Sequence, residues 1–251
     1  MFRDSPPKQQ ETIAHFARLG NTWWDPKGPF RILHELTPLR LRWLKKQICR
    51  AFSRSFEDPL ALQGLRILDI GCGGGLLCEP LSRMGAIVTG IDPVEENICT
   101  AENHANLNGL PIIYKHADIE SFAEREETLF DIAIGFEVIE HTETPTAFIT
   151  ATASCMKPGG FLFLSTLNKT FQSWAFGIIA AERILQWVPP GTHTWSAFIK
   201  PSDLTGYLTR TGFAPLETQG FSFSLLTQTW DLSDDISINY FMSAQKESPP
   251  R

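Results

Sequence analysis

The chain of 251 residues lacks paired cysteines, an apolar leader segment and any excess of positive charge. Its 5 cysteines are scattered without Cys-x-x-Cys spacing, which argues against a disulfide framework and a zinc ribbon. The formal net charge of -6 argues against nucleic acid as a partner. The first residues carry Asp4 and show neither an apolar signal region nor the Arg- and Ser-rich pattern of a mitochondrial presequence. We therefore expect a cytoplasmic protein.

Apolar runs alternate with helical patterns through most of the chain. The predicted strands are residues 66–70, 87–91, 112–115, 130–134, 161–165, 221–226 and 240–244. Between them, helical spacing predicts helices at residues 76–84, 95–106 and 145–156, and another at 38–52 precedes the first strand. This alternation indicates an α/β fold with a largely parallel sheet covered on both faces. We place an N-terminal helical cap at residues 1–60 and the main domain at 61–251.

The most informative motif follows the first predicted strand. Residues 67–75 read Ile-Leu-Asp-Ile-Gly-Cys-Gly-Gly-Gly, and the second strand runs into Asp92. A dinucleotide-binding loop would need its third glycine at position 76, which is Leu76. The spacing found, with Asp69 just before Gly71 and Gly73, resembles motif I of the S-adenosylmethionine-dependent methyltransferases. We expect this loop to contact the cofactor. Asp92 then accepts the ribose hydroxyls, unless it serves only as a helix N-cap before the following proline.

Further acidic residues follow the third and fourth strands and reach the same edge of the sheet. Asp118 is either an acceptor for the adenine amino group or the start of an ordinary Asx-turn. If a helix starts after the fourth strand, Glu137, Glu140 and His141 share one of its faces at i, i+3 and i+4. Such a set binds a divalent metal or acts as acid and base. The alternative is that the acidic residues merely complement the helix dipole.

Motifs along almost the whole chain resemble the ubiquinone-biosynthesis O-methyltransferase family. The narrowest are Pro-Leu-Arg ending at Arg40, Glu-x-x-Glu-His ending at His141, and Pro-x-Gly-Thr-His ending at His193. The glycine loop and the Lys-Pro-Gly-Gly turn at residues 157–160 are common to the whole methyltransferase superfamily. One departure is Glu35, where the family often has a basic residue. Family members methylate hydroxyls of polyprenyl catechol-type compounds and of demethylubiquinol.

The resemblance implies a class I, Rossmann-like methyltransferase with a seven-stranded, mostly parallel sheet and an insertion at about residues 169–200, after the fifth strand. It implies S-adenosylmethionine contacts from Arg40, Gly71, Asp92 and Phe136. It also implies that a divalent metal, with Mg²⁺ the expected ion, binds Glu137, Glu140 and His141. For catalysis we expect Glu140, His141 and His193 to serve, with His193 a candidate general base. The alternatives are a methyltransferase for another lipophilic phenol and a membrane-associated scaffold without catalytic activity.

Two segments bear on membrane attachment. Basic side chains occur together at Arg40, Arg42, Lys45, Lys46, Arg50 and Arg54. They form either a solvated helix face or a site for anionic groups such as lipid headgroups. The stretch between residues 169 and 182 is uncharged, but it is shorter than the ~20 residues that span a bilayer. It either packs on the sheet or, with a polyprenyl phenol or quinol as substrate, touches the membrane surface. We expect peripheral attachment to the inner membrane and a place in a ubiquinone biosynthesis complex.

Overall fold

The computed structural model describes residues 19, 22–170, 173, 197–224 and 227–248. Its strands are β1 (Arg66–Ile70), β2 (Ile87–Asp92), β3 (Ile113–His116), β4 (Phe130–Phe136), β5 (Met156–Leu167), β6 (Phe213–Ser224), β7 (Thr229–Ser233) and β8 (Asn239–Lys246). Its helices are α1 (Arg31–Ala51), α2 (Cys78–Arg83), α3 (Glu95–Leu107), α4 (Ile119–Ala123), α5 (Pro145–Ser154) and α6 (Pro201–Arg210), with a 3₁₀ turn at Ile139–His141. The predicted insertion lies almost wholly outside the described residues, and His193 lies outside them.

One mixed sheet with the strand order β3-β2-β1-β4-β5-β8-β6-β7 joins all these strands. β1 to β5 are parallel to one another, and β8, β6 and β7 are added antiparallel next to β5. From β1 the chain first builds outward to β3 and then returns to place β4 on the other side of β1. This reversal opens a crevice beyond the carboxyl ends of β1 and β4, which is where ligands bind in such sheets.

The antiparallel edge differs from the sequence prediction, because the described residues form eight strands and not seven. Of the run predicted at residues 221–226, residues 221–224 are the end of the longer β6, whose first half was missed, and residues 225 and 226 lie outside the described residues. That half alternates exposed with half-buried side chains, and its pairing with β8 shifts register next to Pro215. β7 was missed altogether, since it is a five-residue edge strand that pairs only with β6 and is at most half-buried. Neither segment carries the apolar run that marks a buried strand.

Helix α1 begins at Arg31, seven residues before the predicted start, and contains Pro38. A proline inside a helix removes one backbone hydrogen bond and normally breaks the helix. Here buried side chains continue on both sides of it, from Ile32 and Leu36 to Trp43. Packing of this apolar stripe against the sheet therefore outweighs the cost of the proline. The consequence for function is that α1 carries Arg40 to the crevice.

Helices cover both faces of the sheet and enclose two apolar clusters. One cluster joins α1, α2 and α3 to the sheet, with Trp43 stacked on Phe241 at 4.6 Å between ring centroids. The other joins α4, α5 and α6 to the opposite face. Because α1 belongs to the same cluster as β1, the cap packs directly on the sheet, and the proposed division at residue 60 stays a prediction. Among the described residues, no helix is both long and apolar enough to cross a membrane.

Candidate active site

The glycine loop leaves the carboxyl end of β1 as the sequence predicts. Gly71 has a φ of +69° and its N–H donates to the carbonyl oxygen of Ile91 at 2.8 Å. A Cβ at this position would lie 2.5 Å from Cγ2 of Val138. Gly71 is therefore required both by its backbone conformation and by the close approach of Val138. The loop is held against the end of β2, the strand that delivers Asp92.

Asp92 is buried and accepts three hydrogen bonds from the protein. The N–H of Gly73 donates to its Oδ2 at 2.9 Å, and the N–H of Val94 and Nδ2 of Asn97 donate to its Oδ1 at 2.9 and 3.0 Å. A carboxylate offers roughly four acceptor positions, so one on Oδ2 remains for a ligand hydroxyl. Burial raises the pKa of Asp92, and these hydrogen bonds oppose the rise. Asp92 thus shapes the turn into α3 while keeping an acceptor position at the crevice.

Asp69 lies one strand away and is almost fully enclosed. The Cys78 thiol donates to its Oδ2 at 3.1 Å. Burial raises the pKa of Asp69 to about 7, although this hydrogen bond and the charge of Arg40 act against the rise. A carboxyl group that titrates near neutral pH at the edge of a crevice is characteristic of a functional site. It has the charge and the position to meet an ammonium group.

Arg40 reaches this carboxylate-rich crevice from α1. Its guanidinium is buried, lies 5.6 Å from the centroid of the Phe136 ring, and places Nη2 3.7 Å from Oε1 of Glu137. Burial lowers the pKa of Arg40, and three neighbouring carboxylates, chiefly Glu137, oppose the change. Its Nε has no hydrogen-bond partner within the described part of the chain. The predicted cofactor residues Arg40 and Phe136 are thus brought together, with a buried donor left for an anionic group.

The segment after β4 does not form the α-helix that the sequence indicates. Glu137 has a φ of +55°, and Ile139–His141 is a single 3₁₀ turn. Glu137 therefore precedes the turn, and the expected shared helix face with Glu140 and His141 is wrong. Its carboxylate is instead held by Ser165, whose Oγ donates to Oε1 at 2.7 Å. The N–H of Glu137 also donates to the Ser165 carbonyl oxygen at 3.1 Å, so both the backbone and the side chain of Glu137 are held against β5.

Glu140 points into the protein beside Glu137. It is 6% exposed, and neither carboxylate oxygen makes a hydrogen bond of normal geometry to any described residue. Burial and then the charge of Glu137 raise the pKa of Glu140 well above its ordinary value. Within the ranges the structure describes, no group of three or more His, Cys, Asp or Glu side chains is arranged to hold a metal ion. Metal binding at this position stays a prediction.

Asp118 takes the turn-forming role that was the alternative to adenine recognition. It is the N-cap of α4, and its Oδ1 accepts from the N–H of Ser121 at 2.7 Å. α4 was not predicted, because five residues are too few for a clear helical period. A contact between Asp118 and the adenine stays a prediction.

Three residues packed around the glycine loop and α3 received no role from the sequence. Trp23 covers the glycine loop, Trp24 donates from Nε1 to the Gly74 carbonyl oxygen at 2.9 Å, and Asn97 bonds to Asp92. Trp23 and Asn97 are 74 positions apart in the chain and meet only in the folded protein. No local pattern joins them.

Among solved structures, the chain is similar to the magnesium protoporphyrin IX methyltransferase from Synechocystis PCC 6803 with bound SAH. The two are 21% identical with a TM-score of 0.65, and the match covers 96% of this chain and 100% of that one. At this identity the likeness supports the fold alone. It agrees with the class I, Rossmann-like sheet predicted from the sequence.

Similarity in sequence identifies the family. The family model described as a methyltransferase domain matches residues 40–218. Together with the fold and the site, this match defines the protein as a methyltransferase. A ubiquinone biosynthesis O-methyltransferase from Methylobacterium nodulans is 41% identical over 241 residues, covering 96% of each chain. Another of that name from Bradyrhizobium sp. (strain ORS 278) is 44% identical over 234 residues, covering 93% of this chain and 92% of its own. The chain belongs to the ubiquinone biosynthesis O-methyltransferase family.

Proposed function

We propose that the protein transfers the methyl group of S-adenosylmethionine to a phenolic hydroxyl of polyprenyl hydroxyphenols and of 3-demethylubiquinol. The observation that carries the proposal is the hydrogen bond from the glycine loop to Asp92 at the ends of β1 and β2. It sets a carboxylate acceptor beside a loop that lacks the third glycine of a dinucleotide site. The relatives are named for O-methylation in ubiquinone biosynthesis, and the family resemblance of the sequence motifs supplies the substrate class.

Three parts of the cofactor have chemically matched residues in this crevice. The free acceptor position of Asp92 suits a ribose hydroxyl, the Asp69 carboxyl suits the ammonium group, and the buried Arg40 guanidinium suits the methionine carboxylate. The sulfonium already makes its methyl group reactive, so the main task of the protein is alignment. Holding two reactants in line is worth roughly 7 to 11 kcal/mol in favourable cases.

The second task is to remove the phenol proton. The buried Glu140 carboxylate lies beside Glu137 and near Arg40, and neither of its oxygens makes a hydrogen bond of normal geometry to any described residue. Ionised Glu140 would accept the proton as the phenolic oxygen attacks the methyl group, which leaves S-adenosylhomocysteine and the methyl ether. His141 and His193 are the other candidates, and His193 lies outside the described residues.

A divalent metal, with Mg²⁺ the expected ion, fits this site only in part. The unpaired Glu140 carboxylate beside Glu137 suits a cation, and His141 adjoins it in sequence, but three ligands are not preassembled. Bound there, a metal would lower the pKa of the phenol. Calorimetric titration with MgCl₂ should give a binding isotherm that Glu137→Gln abolishes, with CaCl₂ as the comparison ion. Absence of binding with full methyl transfer in demetallated protein would refute the proposal.

We also place the protein peripherally at the inner membrane, in a ubiquinone biosynthesis complex, because of its lipophilic substrates. The basic residues of α1 give limited support, since Arg42 pairs with Asp231 at 3.4 Å and Arg50 lies 3.8 Å from Glu217. Flotation with anionic vesicles should show binding that weakens with salt. Replacing Trp174 and Ile178, outside the described residues, with serine should lower it. Equal flotation of parent and variant would contradict attachment through that segment.

A methyl-transfer assay with a short-chain catechol analogue tests the main proposal. We expect S-adenosylhomocysteine to accumulate only when catechol and S-adenosylmethionine are both present. A non-catalytic scaffold would bind the cofactor without turnover. A methyltransferase for another phenol would methylate neither the catechol analogue nor, in a parallel assay, a short-tailed demethylubiquinol.

A further inference from the structure

Residues 22–30, which we call the tryptophan strap, lie directly on the glycine loop. Trp23 is buried and stacks on Phe30 with ring centroids 3.8 Å apart. A Cβ at Gly73 or at Gly74 would each come within 2.4 Å of the Trp23 side chain. The absence of side chains at these two positions therefore makes room for Trp23. Part of the glycine richness of the loop serves the strap and not the cofactor.

A buried hydrogen-bond chain runs from the strap to the carboxylate. Nε1 of Trp23 donates to Oδ1 of Asn97 at 2.7 Å, and Nδ2 of Asn97 donates to Oδ1 of Asp92 at 3.0 Å. Asn97 is 2% exposed, so water does not compete for either contact. Indole N–H only donates and a carboxylate only accepts, so the two partners admit one orientation of the Asn97 amide. Trp23 thus determines which side of Asn97 faces Asp92.

The strap has a second attachment that bypasses Asp92. Trp24 donates to the Gly74 carbonyl oxygen at 2.9 Å and stacks on His104 with ring centroids 3.5 Å apart. His104 in turn places Nδ1 2.5 Å from Oε1 of Glu79. Trp24 therefore also fixes the strap to the loop, but its contacts do not reach the carboxylate. This makes Trp24 a matched control for Trp23.

We infer that Trp23 and Asn97 are positioning residues for cofactor binding, which hold Asp92 in the orientation that accepts the ribose. The inference rests on the proposed cofactor. Asp92 keeps one acceptor position on Oδ2, and its direction depends on the three donors that fix the carboxylate. Two of these are backbone N–H groups of the surrounding turns, whereas the Asn97 donor is a side chain that depends on Trp23. Loss of the hydrogen bonds from Trp23 through Asn97 lets the Asp92 carboxylate rotate and weakens cofactor binding.

Calorimetric titration with S-adenosylhomocysteine tests this in the full chain. Trp23→Phe keeps the aromatic ring and removes only the donor, and Asn97→Ala removes the whole link. We expect Kd to rise about fivefold for Trp23→Phe and about tenfold for Asn97→Ala, the scale of one charge-assisted hydrogen bond. Because both substitutions break the same series of hydrogen bonds, the double variant should bind S-adenosylhomocysteine no more weakly than Asn97→Ala alone. Trp24→Phe should change Kd less than twofold.

Steady-state kinetics separates positioning from a structural role. The variants should raise KM for S-adenosylmethionine and leave kcat at saturating cofactor within about twofold. Should Asn97→Ala fail to fold, as judged by thermal unfolding, Asn97→Ser takes its place. Unchanged Kd in both single variants, additive effects in the double variant, or an equal loss in Trp24→Phe would each overturn the inference. If the parent protein itself does not bind S-adenosylhomocysteine, the proposed function fails first.

Discussion

Replacing Asp69 by Asn should stabilise the protein at alkaline pH while impairing cofactor binding. The carboxyl group is 4% exposed, and burial raises its pKa from an ordinary 3.8 to about 7. The folded protein therefore holds this proton more tightly than the unfolded chain does. Ionisation of Asp69 opposes folding, and the penalty is absent below about pH 4 and complete above about pH 7.

The size of the effect follows from the shift. One pKa unit corresponds to about 1.4 kcal/mol, so the full penalty is about 4 kcal/mol. Integrating proton binding gives about 1.5 kcal/mol at pH 5 and about 4 kcal/mol at pH 8. The free energy of unfolding of Asp69→Asn, relative to the parent, should therefore grow by about 2.5 kcal/mol between these two pH values. Any pH-independent cost of the substitution cancels in this comparison.

Urea unfolding of both proteins at pH 5 and pH 8 measures this difference. Cys78→Ala supplies a second arm, because its thiol donates to Asp69 and lowers the pKa of that carboxyl group. Removing the donor should steepen the loss of stability with rising pH. A difference between Asp69→Asn and the parent that stays constant with pH would show that Asp69 ionises normally, and would refute the reasoning.

Three further substitutions test separate parts of the structure. Gly73 has a φ of +53°, and a Cβ there would lie only 2.4 Å from Trp23, so Gly73→Ala should lower the free energy of unfolding in urea by more than about 1 kcal/mol. An unchanged free energy of unfolding would mean that the loop accommodates the methyl group without strain. Tyr240→Phe removes a buried hydroxyl that donates to the Ile199 carbonyl oxygen at 3.0 Å and should cost about 1 to 2 kcal/mol; unchanged stability would deny that hydrogen bond. Asp92→Ala should weaken S-adenosylhomocysteine binding about tenfold or more in calorimetry, and parent-like affinity would exclude the ribose contact.

The parallel half of the fold was predictable because its elements carry strong local patterns. β1 was predicted at its observed bounds, and β2 and α3 were each predicted to within one residue. β1, β2 and β4 are short, mostly apolar runs followed by a turn or a helix, as burial on both faces requires, whereas β3 at the edge is largely exposed. The prediction started α1 too late because proline normally breaks a helix. Here the buried side chains on both sides of Pro38 keep the helix continuous.

The site was predictable where a residue sits at the end of a strand, and not where contacts are distant in sequence. Asp69, Gly71 and Asp92 follow from the βαβ pattern, because such a unit brings the carboxyl ends of two strands together. The helix expected after β4 was wrong: Glu137 has a positive φ and is hydrogen-bonded to Ser165 of the neighbouring strand, a contact that no local pattern reveals. Trp23 meets Asn97 only through tertiary packing, so no local sequence pattern predicts their hydrogen bond.

Transfer of an isotopically labelled methyl group from S-adenosylmethionine to a short-tailed demethylubiquinol, followed by mass spectrometry, tests the central claim most directly. Ubiquinol with the same short tail, in which that hydroxyl is already methylated, is the matched control. We predict labelled methyl ether and S-adenosylhomocysteine in equal amounts with the demethylubiquinol, and neither with the ubiquinol. Cofactor binding without a labelled product from any quinol or catechol would contradict the proposed function.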